Sequence, residues 1–284
     1  MLYEDQVLPV GGSSQGAEVG VVGQTRALDW ISDEKLLLSE SLDSALQTVT
    51  LDGQKSVLLS DTRDVRAYEA TVCAGRSAMF TGLRPGKVHD LRIWSIDFEG
   101  GKAQPVTPGP GDQYGRCSAD GKWIAFYDFT NSSLKKLRRA DGKVETLMPA
   151  ERNPYPIVGL SSDGQEFLVL TFASAAGVTK AMLDFVSAES GQTVRQIPIA
   201  GNPALPASVP GKPAVSYVTA DRGVENVWLQ PLAGGQARQF THFELNRQTA
   251  SRILRMAWSP GGRWLGVVHV NERDDVVLLK DRTQ

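Results

Sequence analysis

A short turn motif recurs six times along the 284 residues, and that recurrence narrows the folds open to the chain more than any other feature. The copies are Trp30-Ile-Ser-Asp-Glu-Lys35, Cys73-Ala-Gly-Arg76, Cys117-Ser-Ala-Asp-Gly-Lys122, Leu160-Ser-Ser-Asp-Gly-Gln165, Val209-Pro-Gly-Lys212 and Trp258-Ser-Pro-Gly-Gly-Arg263. Anchored on the glycine, or on Glu34 in the first copy, they fall at 34, 75, 121, 164, 211 and 262, in steps of 41, 46, 43, 47 and 51. A unit of that length is the size of one propeller blade, which buries its faces against its neighbours.

Each motif sits between two strand-like runs, as in Ile253-Leu-Arg-Met-Ala-Trp258 and Arg263-Trp-Leu-Gly-Val-Val-His-Val270. Asp-Gly and Gly-Gly supply the positive φ of a tight hairpin. Most repeats then carry a third strand ending in a second glycine turn, such as Thr50-Leu-Asp-Gly53, Arg139-Ala-Asp-Gly142 or Leu232-Ala-Gly-Gly235, followed by a fourth, as in Ser56-Val-Leu-Leu59. Turns this frequent leave no room for helices of ordinary length. The fold expected is all-β: a six-bladed β-propeller of four-stranded antiparallel blades in a single domain spanning 1–284. Blade boundaries fall near 26–62, 63–110, 111–152, 153–202, 203–245 and 246–284, with 1–25 as the closing region.

Closure is expected to come from the N-terminus. The sixth repeat has three strands, the last being Asp275-Val-Val-Leu-Leu-Lys280, and Ala17-Glu-Val-Gly-Val-Val-Gly23 has the character of the missing outer strand. Pairing the two removes an exposed sheet edge. Leu2-Tyr-Glu-Asp-Gln-Val-Leu-Pro-Val-Gly-Gly12 also reads as a third strand with its turn, and competes with 275–280 for one place.

Trp258-Ser-Pro-Gly-Gly-Arg-Trp264, Ser118-Ala-Asp-Gly-Lys122 and Ser161-Ser-Asp-Gly164 resemble the W-S-P-D-G-[KR] turn of TolB-like, or WD40-like (PD40), propeller repeats. The second and fifth copies are degenerate, the first has Glu34 for Gly, and the sixth has Gly261 for Asp. The closing segment is similar to the C-terminal propellers of bacterial serine/threonine kinase or winged-helix regulator proteins, although neither partner domain is present. The resemblance implies a rigid disc that binds a protein or peptide, as a scaffold or as the sensory part of a larger signalling protein, and it implies no reaction. It also implies a periplasmic or other extracytoplasmic location. Met1-Leu-Tyr-Glu-Asp-Gln6 itself lacks the basic start and apolar stretch of a secretory signal. The compartment and the oligomeric state therefore stay open.

Thirty Lys and Arg against 32 Asp and Glu leave a net charge of −2, so no overall field draws the protein to nucleic acid or anionic lipid. No apolar run approaches the roughly 18 residues of a membrane span. The one basic cluster, Lys135-Lys-Leu-Arg-Arg139, lies on a strand, where alternation divides its charges between two faces. Cys73 and Cys117 are too few for a disulfide framework and read as small buried core residues.

The sequence offers no catalytic constellation. Gly12-Ser-Ser-Gln-Gly16 has the spacing of a serine-hydrolase elbow, but no helix-forming sequence follows it, and a hairpin turn explains it better. His89, His242 and His269 lie too far apart for a zinc site, and Asn271-Glu-Arg-Asp-Asp275 lacks the alternating oxygen pattern of a calcium loop. No metal, cofactor or catalytic residue is assigned. The alternative class, a channel-based lactonase-like hydrolase or the propeller half of a prolyl-oligopeptidase-like peptidase, would need a divalent ion in the channel or an attached hydrolase domain. Binding residues are expected on the long connections entering the innermost strands: Thr107-Pro-Gly-Pro-Gly-Asp-Gln-Tyr114, Arg152-Asn-Pro-Tyr-Pro156 and Thr241-His-Phe-Glu-Leu-Asn-Arg-Gln248. Tyr114, Tyr155 and Arg252 are the ligand-binding candidates at that mouth, because Tyr and Arg dominate binding hot spots.

Overall fold

The structure is a computed structural model that describes residues 2–9, 17–18, 25–40, 45–59, 64–87, 90–175, 178–244 and 249–273. It is an all-β propeller of four-stranded antiparallel blades, and among the described residues the only helix is a single 3-10 turn at Ala150–Arg152. Strands β1 (Leu2–Pro9) and β2 (Ala17–Glu18) come first in the chain. One sheet follows from β3 (Thr25–Ser32), β4 (Lys35–Glu40), β5 (Leu46–Thr50) and β6 (Lys55–Leu59), and the next from β7 (Arg66–Cys73), β8 (Ser77–Leu83), β9 (Leu91–Asp97) and β10 (Gln104–Pro105). The third has β11 (Asp112–Cys117), β12 (Trp123–Asp128), β13 (Ser133–Arg138) and β14 (Lys143–Met148). The fourth has β15 (Gly159–Leu160), β16 (Glu166–Ala175), β17 (Val178–Ser187) and β18 (Thr193–Ile199).

The six blades expected are corrected to five. The fifth is an eight-stranded sheet that unites β19 (Ala204–Ser208), β20 (Ala214–Asp221), β21 (Val224–Pro231) and β22 (Arg238–Gln239) with β23 (Thr249–Trp258), β24 (Trp264–Arg273), β1 and β2. The physical reason is one parallel pair, Val224 with Ser251, where β21 and β23 approach closely enough to bridge. The N-terminal competition also resolves. Leu2–Pro9 takes the place beside β24, from Leu2 opposite Asn271 to Pro9 opposite Trp264, and Ala17–Glu18 pairs outside it. Residues 275–280 and the elbow-like Gly12–Gly16 lie outside the described residues, as does His89.

The recurring turn is built by one hydrogen-bond pattern. In three copies the glycine N–H donates to the serine carbonyl, at 2.9 Å for Gly121 to Ser118 and Gly164 to Ser161, and 2.8 Å for Gly262 to Ser259. The serine Oγ then accepts from the N–H five residues on, Trp123 at 3.1 Å, Glu166 at 2.9 Å and Trp264 at 3.2 Å. In the two Asp-Gly copies the hydroxyl also donates to the aspartate, Ser118 to Asp120 and Ser161 to Asp163, and these bonds, with backbone donors, hold Asp120 down at about 2.

Neighbouring turns interlock. The Ala119 N–H donates to the Gly164 carbonyl at 3.1 Å, and the Gly261 N–H to Asp33 at 2.7 Å, which links the last turn to the first. A Cβ on Gly164 would lie 2.0 Å from Ala119 Cβ, at a φ of +68° that side chains rarely adopt. Gly164→Ala is therefore expected to cost about 1–3 kcal/mol, read as a lower urea midpoint with unchanged slope.

Between sheets the core is aromatic and aliphatic. Trp30 Nε1 donates to the Ala257 carbonyl at 2.9 Å within a cluster holding Leu28, Leu36 and Val268, so β3 packs on β23. Trp258 Nε1 reaches Ser216 Oγ at 2.8 Å. His269 is buried against Phe243, rings stacked at 4.3 Å, and burial lowers its pKa from 6.5. The unfolded imidazole gains a proton that the folded one resists, so stability is expected to fall as pH drops below 6.5 and to level off once the folded form charges. Thermal melts across that window test this: the slope should flatten in His269→Gln.

Two further features depart from the sequence reading. Cys73 and Cys117 are buried as expected, but they form a disulfide with Cα atoms 5.2 Å apart, tying the end of β7 to the end of β11. Alternation does divide the basic cluster. Lys135 Nζ donates to Thr146 Oγ1 at 3.1 Å, while Lys136 is buried, its Nζ 4.4 Å from the Trp123 ring and bonded to the Ala188 and Glu189 carbonyls of the next sheet.

Candidate functional site

Strands β3, β7, β11, β19 and β23, together with residues 157–162 around β15, surround an axial cavity of about 570 Å³. Its wall runs from mid-strand to the recurring turns. The reason lies in the strand backbones: register shifts interrupt β7 between Tyr68 and Thr71, β11 between Gln113 and Arg116, β19 between Ala204 and Ala207, and β23 between Ile253 and Arg255. At these bulges Glu69, Tyr114 and Leu205 adopt φ values of 52°, 57° and 52°. A bulge bends its strand and re-aims a side chain, and all three residues line the cavity.

The cavity wall has two unlike arcs. One is ionic: Arg116 Nη1 lies 2.8 Å from Asp29 Oδ2, and Arg255 pairs with Glu69. Asp29 also accepts from the Trp30 N–H and the Val72 N–H, each at 2.9 Å, while Thr71 Oγ1 donates to the Gly115 carbonyl at 2.9 Å. The other arc is apolar, with Ile157, Leu160, Leu205, Pro206 and Met256. Among the described residues no three of His, Cys, Asp and Glu gather as metal ligands would.

Tyr114 lines this cavity, whereas Tyr155 and Arg252 stand outside its lining, near where β15 and β23 begin. Tyr155 is nevertheless within electrostatic range of both Tyr114 and Arg252. Burial pushes the Tyr155 phenol up, Glu225 adds to the push and Arg252 opposes it; burial also raises Tyr114, with a smaller contribution from Tyr155. Aromatic rings continue along this mouth, Tyr114 facing Phe129 at 6.1 Å and Tyr155 facing Phe172 at 6.5 Å, and Phe129 is exposed. The Tyr155 loop is anchored below by Arg152 Nη2, 3.0 Å from the buried carboxylate of Asp184. Sequence reasoning missed Asp29, Glu69, Arg116 and Arg255, since each is a single charged residue inside a strand and only the fold brings them together.

The sheet order and the axial cavity define a TolB-like β-propeller fold. A putative TolB from Agrobacterium tumefaciens is similar with a TM-score of 0.70 and 17% identity, over 94% of this chain and 98% of that one. TolB from Acinetobacter baumannii matches at 0.61 and 15% identity, over 90% of this chain and 66% of its own length. An oligogalacturonate lyase in complex with manganese matches at 0.53 and 17% identity, over 88% and 68%. Identities this low show the fold alone. No protein-family model matches the chain, and no curated protein matches it.

Proposed function

We propose that the chain is a non-catalytic binding propeller that docks a protein or peptide at the mouth marked by Tyr114, Tyr155 and Arg252. The observation that carries this reading is the mouth itself. Half-buried Tyr114 and Tyr155, exposed Phe129 and exposed Arg252 lie at or near the starts of inner strands on a rigid scaffold, a composition that supports binding. The ionisable groups of the cavity below stand in opposite-charge pairs, Asp29 with Arg116 and Glu69 with Arg255, which fits a scaffold better than a reaction centre.

Within this reading the chain is one domain, and closure of the ring is supported by the N-terminal strands beside β24 and by the packing of β3 on β23. An extracytoplasmic location is supported by the Cys73–Cys117 disulfide, because such bonds persist in oxidising compartments.

The test compares wild type with Tyr114→Ala/Tyr155→Ala/Arg252→Ala as crosslinking baits, followed by calorimetry with the identified partner after purification. The triple variant is expected to keep its circular dichroism and to weaken the partner by about 2–4 kcal/mol. Unchanged affinity in the folded variant overturns the assignment of the mouth.

A further inference from the structure

We propose that the axial cavity binds a small amphipathic carboxylate, with the carboxylate on Arg116 and the apolar body against Leu160, Leu205, Pro206 and Met256. The proposal goes beyond partner docking: it concerns the cavity wall toward the recurring turns and would hold whether or not a protein docks at the opposite mouth.

The argument is a count of donors and acceptors inside the cavity. Asp29 is heavily engaged, its two oxygens accepting the Trp30 and Val72 N–H groups and Arg116 Nη1. Glu69 is taken by Arg255. Arg116 is the opposite case. A guanidinium carries five N–H donors, and only one contact, Nη1 to Asp29, is made. Its Nε is buried without an acceptor, while a quarter of its side chain is open to the cavity. The unused capacity on Arg116 is donor capacity, held in a planar fork of the kind that binds a carboxylate with two parallel bonds. Binding through Nε–H and Nη–H together requires the guanidinium to turn about its Asp29 contact, because Nε is buried.

The second independent feature is the wall across from it. Ile157, Leu160, Leu205, Pro206 and Met256 give that wall apolar side chains, so a bare anion would leave them unused and a pure hydrocarbon would leave the fork unpaired. A ligand with a carboxylate at one end and an alkyl or aryl body at the other meets both, and about 570 Å³ lies within the range of small-molecule sites.

The experiment titrates decanoate and 1-decanol, equal in chain length, into the purified protein. Trp30 and Trp258 line the cavity and serve as fluorescent reporters, with calorimetry for stoichiometry. Decanoate is expected to bind saturably at one site, about tenfold or more tighter than 1-decanol. Arg116→Gln should remove that preference and leave the alcohol's affinity unchanged. The decanoate–decanol comparison in wild type needs no variant, so the test survives if Arg116→Gln does not fold. The proposal is overturned by absent or non-saturable decanoate binding, by equal affinity for acid and alcohol, or by a folded Arg116→Gln protein that still prefers the acid.

Discussion

Replacing Cys73 and Cys117 together with alanine is expected to lower stability by about 4 kcal/mol, the chain-entropy value for a loop of this length. The bond spans 44 residues, nearly a full blade, so it restricts the unfolded chain far more than a local staple does. For a chain of this size the loss corresponds to about 7 °C in melting temperature. The bond also joins the two innermost strands that carry Thr71 and Arg116, so its removal should loosen the ionic arc of the cavity as well as the fold. Melting curves with and without a phosphine reductant check this. Wild type should fall toward the double variant on reduction, and the double variant should not respond. A wild-type curve unmoved by full reduction contradicts the assignment.

The disulfide also shows where sequence reasoning stopped. The six turns, their glycines and the four-strand rhythm were legible because hairpin chemistry is local: Ser118, Ser161 and Ser259 make the same bonds in their own turns whatever the rest of the chain does. Cys73 and Cys117 each open the turn motif of consecutive repeats, and in a propeller such positions lie side by side. The signal was present once the repeat was aligned, but composition alone pointed to two separate core thiols. The N-terminal pairing was ambiguous for a different reason. Leu2–Pro9 and 275–280 have equivalent strand patterns, and only the spatial register of β24 distinguishes them. The bulges at Glu69, Tyr114 and Leu205 left no trace, because none has the glycine that usually marks a positive φ. Without those bulges the charged arc of the cavity could not be foreseen, and of the three expected residues Tyr114 lines the cavity while Tyr155 and Arg252 stand outside it.

Arg152→Ala should be the most damaging single change near the proposed docking mouth. Asp184 has no exposed surface and accepts from Thr171 Oγ1 at 3.0 Å, from Arg152 Nη2 at 3.0 Å and from Gln196 Nε2. Removing the arginine strands a carboxylate in the interior with two neutral donors and no counter-charge. Breaking a buried pair in this sense costs about 3–5 kcal/mol, and the lower end applies because the Arg152 side chain is 43% exposed, so water can follow it in. Asp184→Asn should cost less, since the arginine it releases can return to solvent and the amide oxygen still accepts from Thr171. The two changes should not add: Arg152→Ala/Asp184→Asn is expected to be more stable than Arg152→Ala alone, because the second substitution removes the stranded charge. Urea denaturation of the four proteins in this cycle measures the coupling. A double variant less stable than Arg152→Ala would mean that Asp184 tolerates isolation and that the Tyr155 loop is held by something other than this pair.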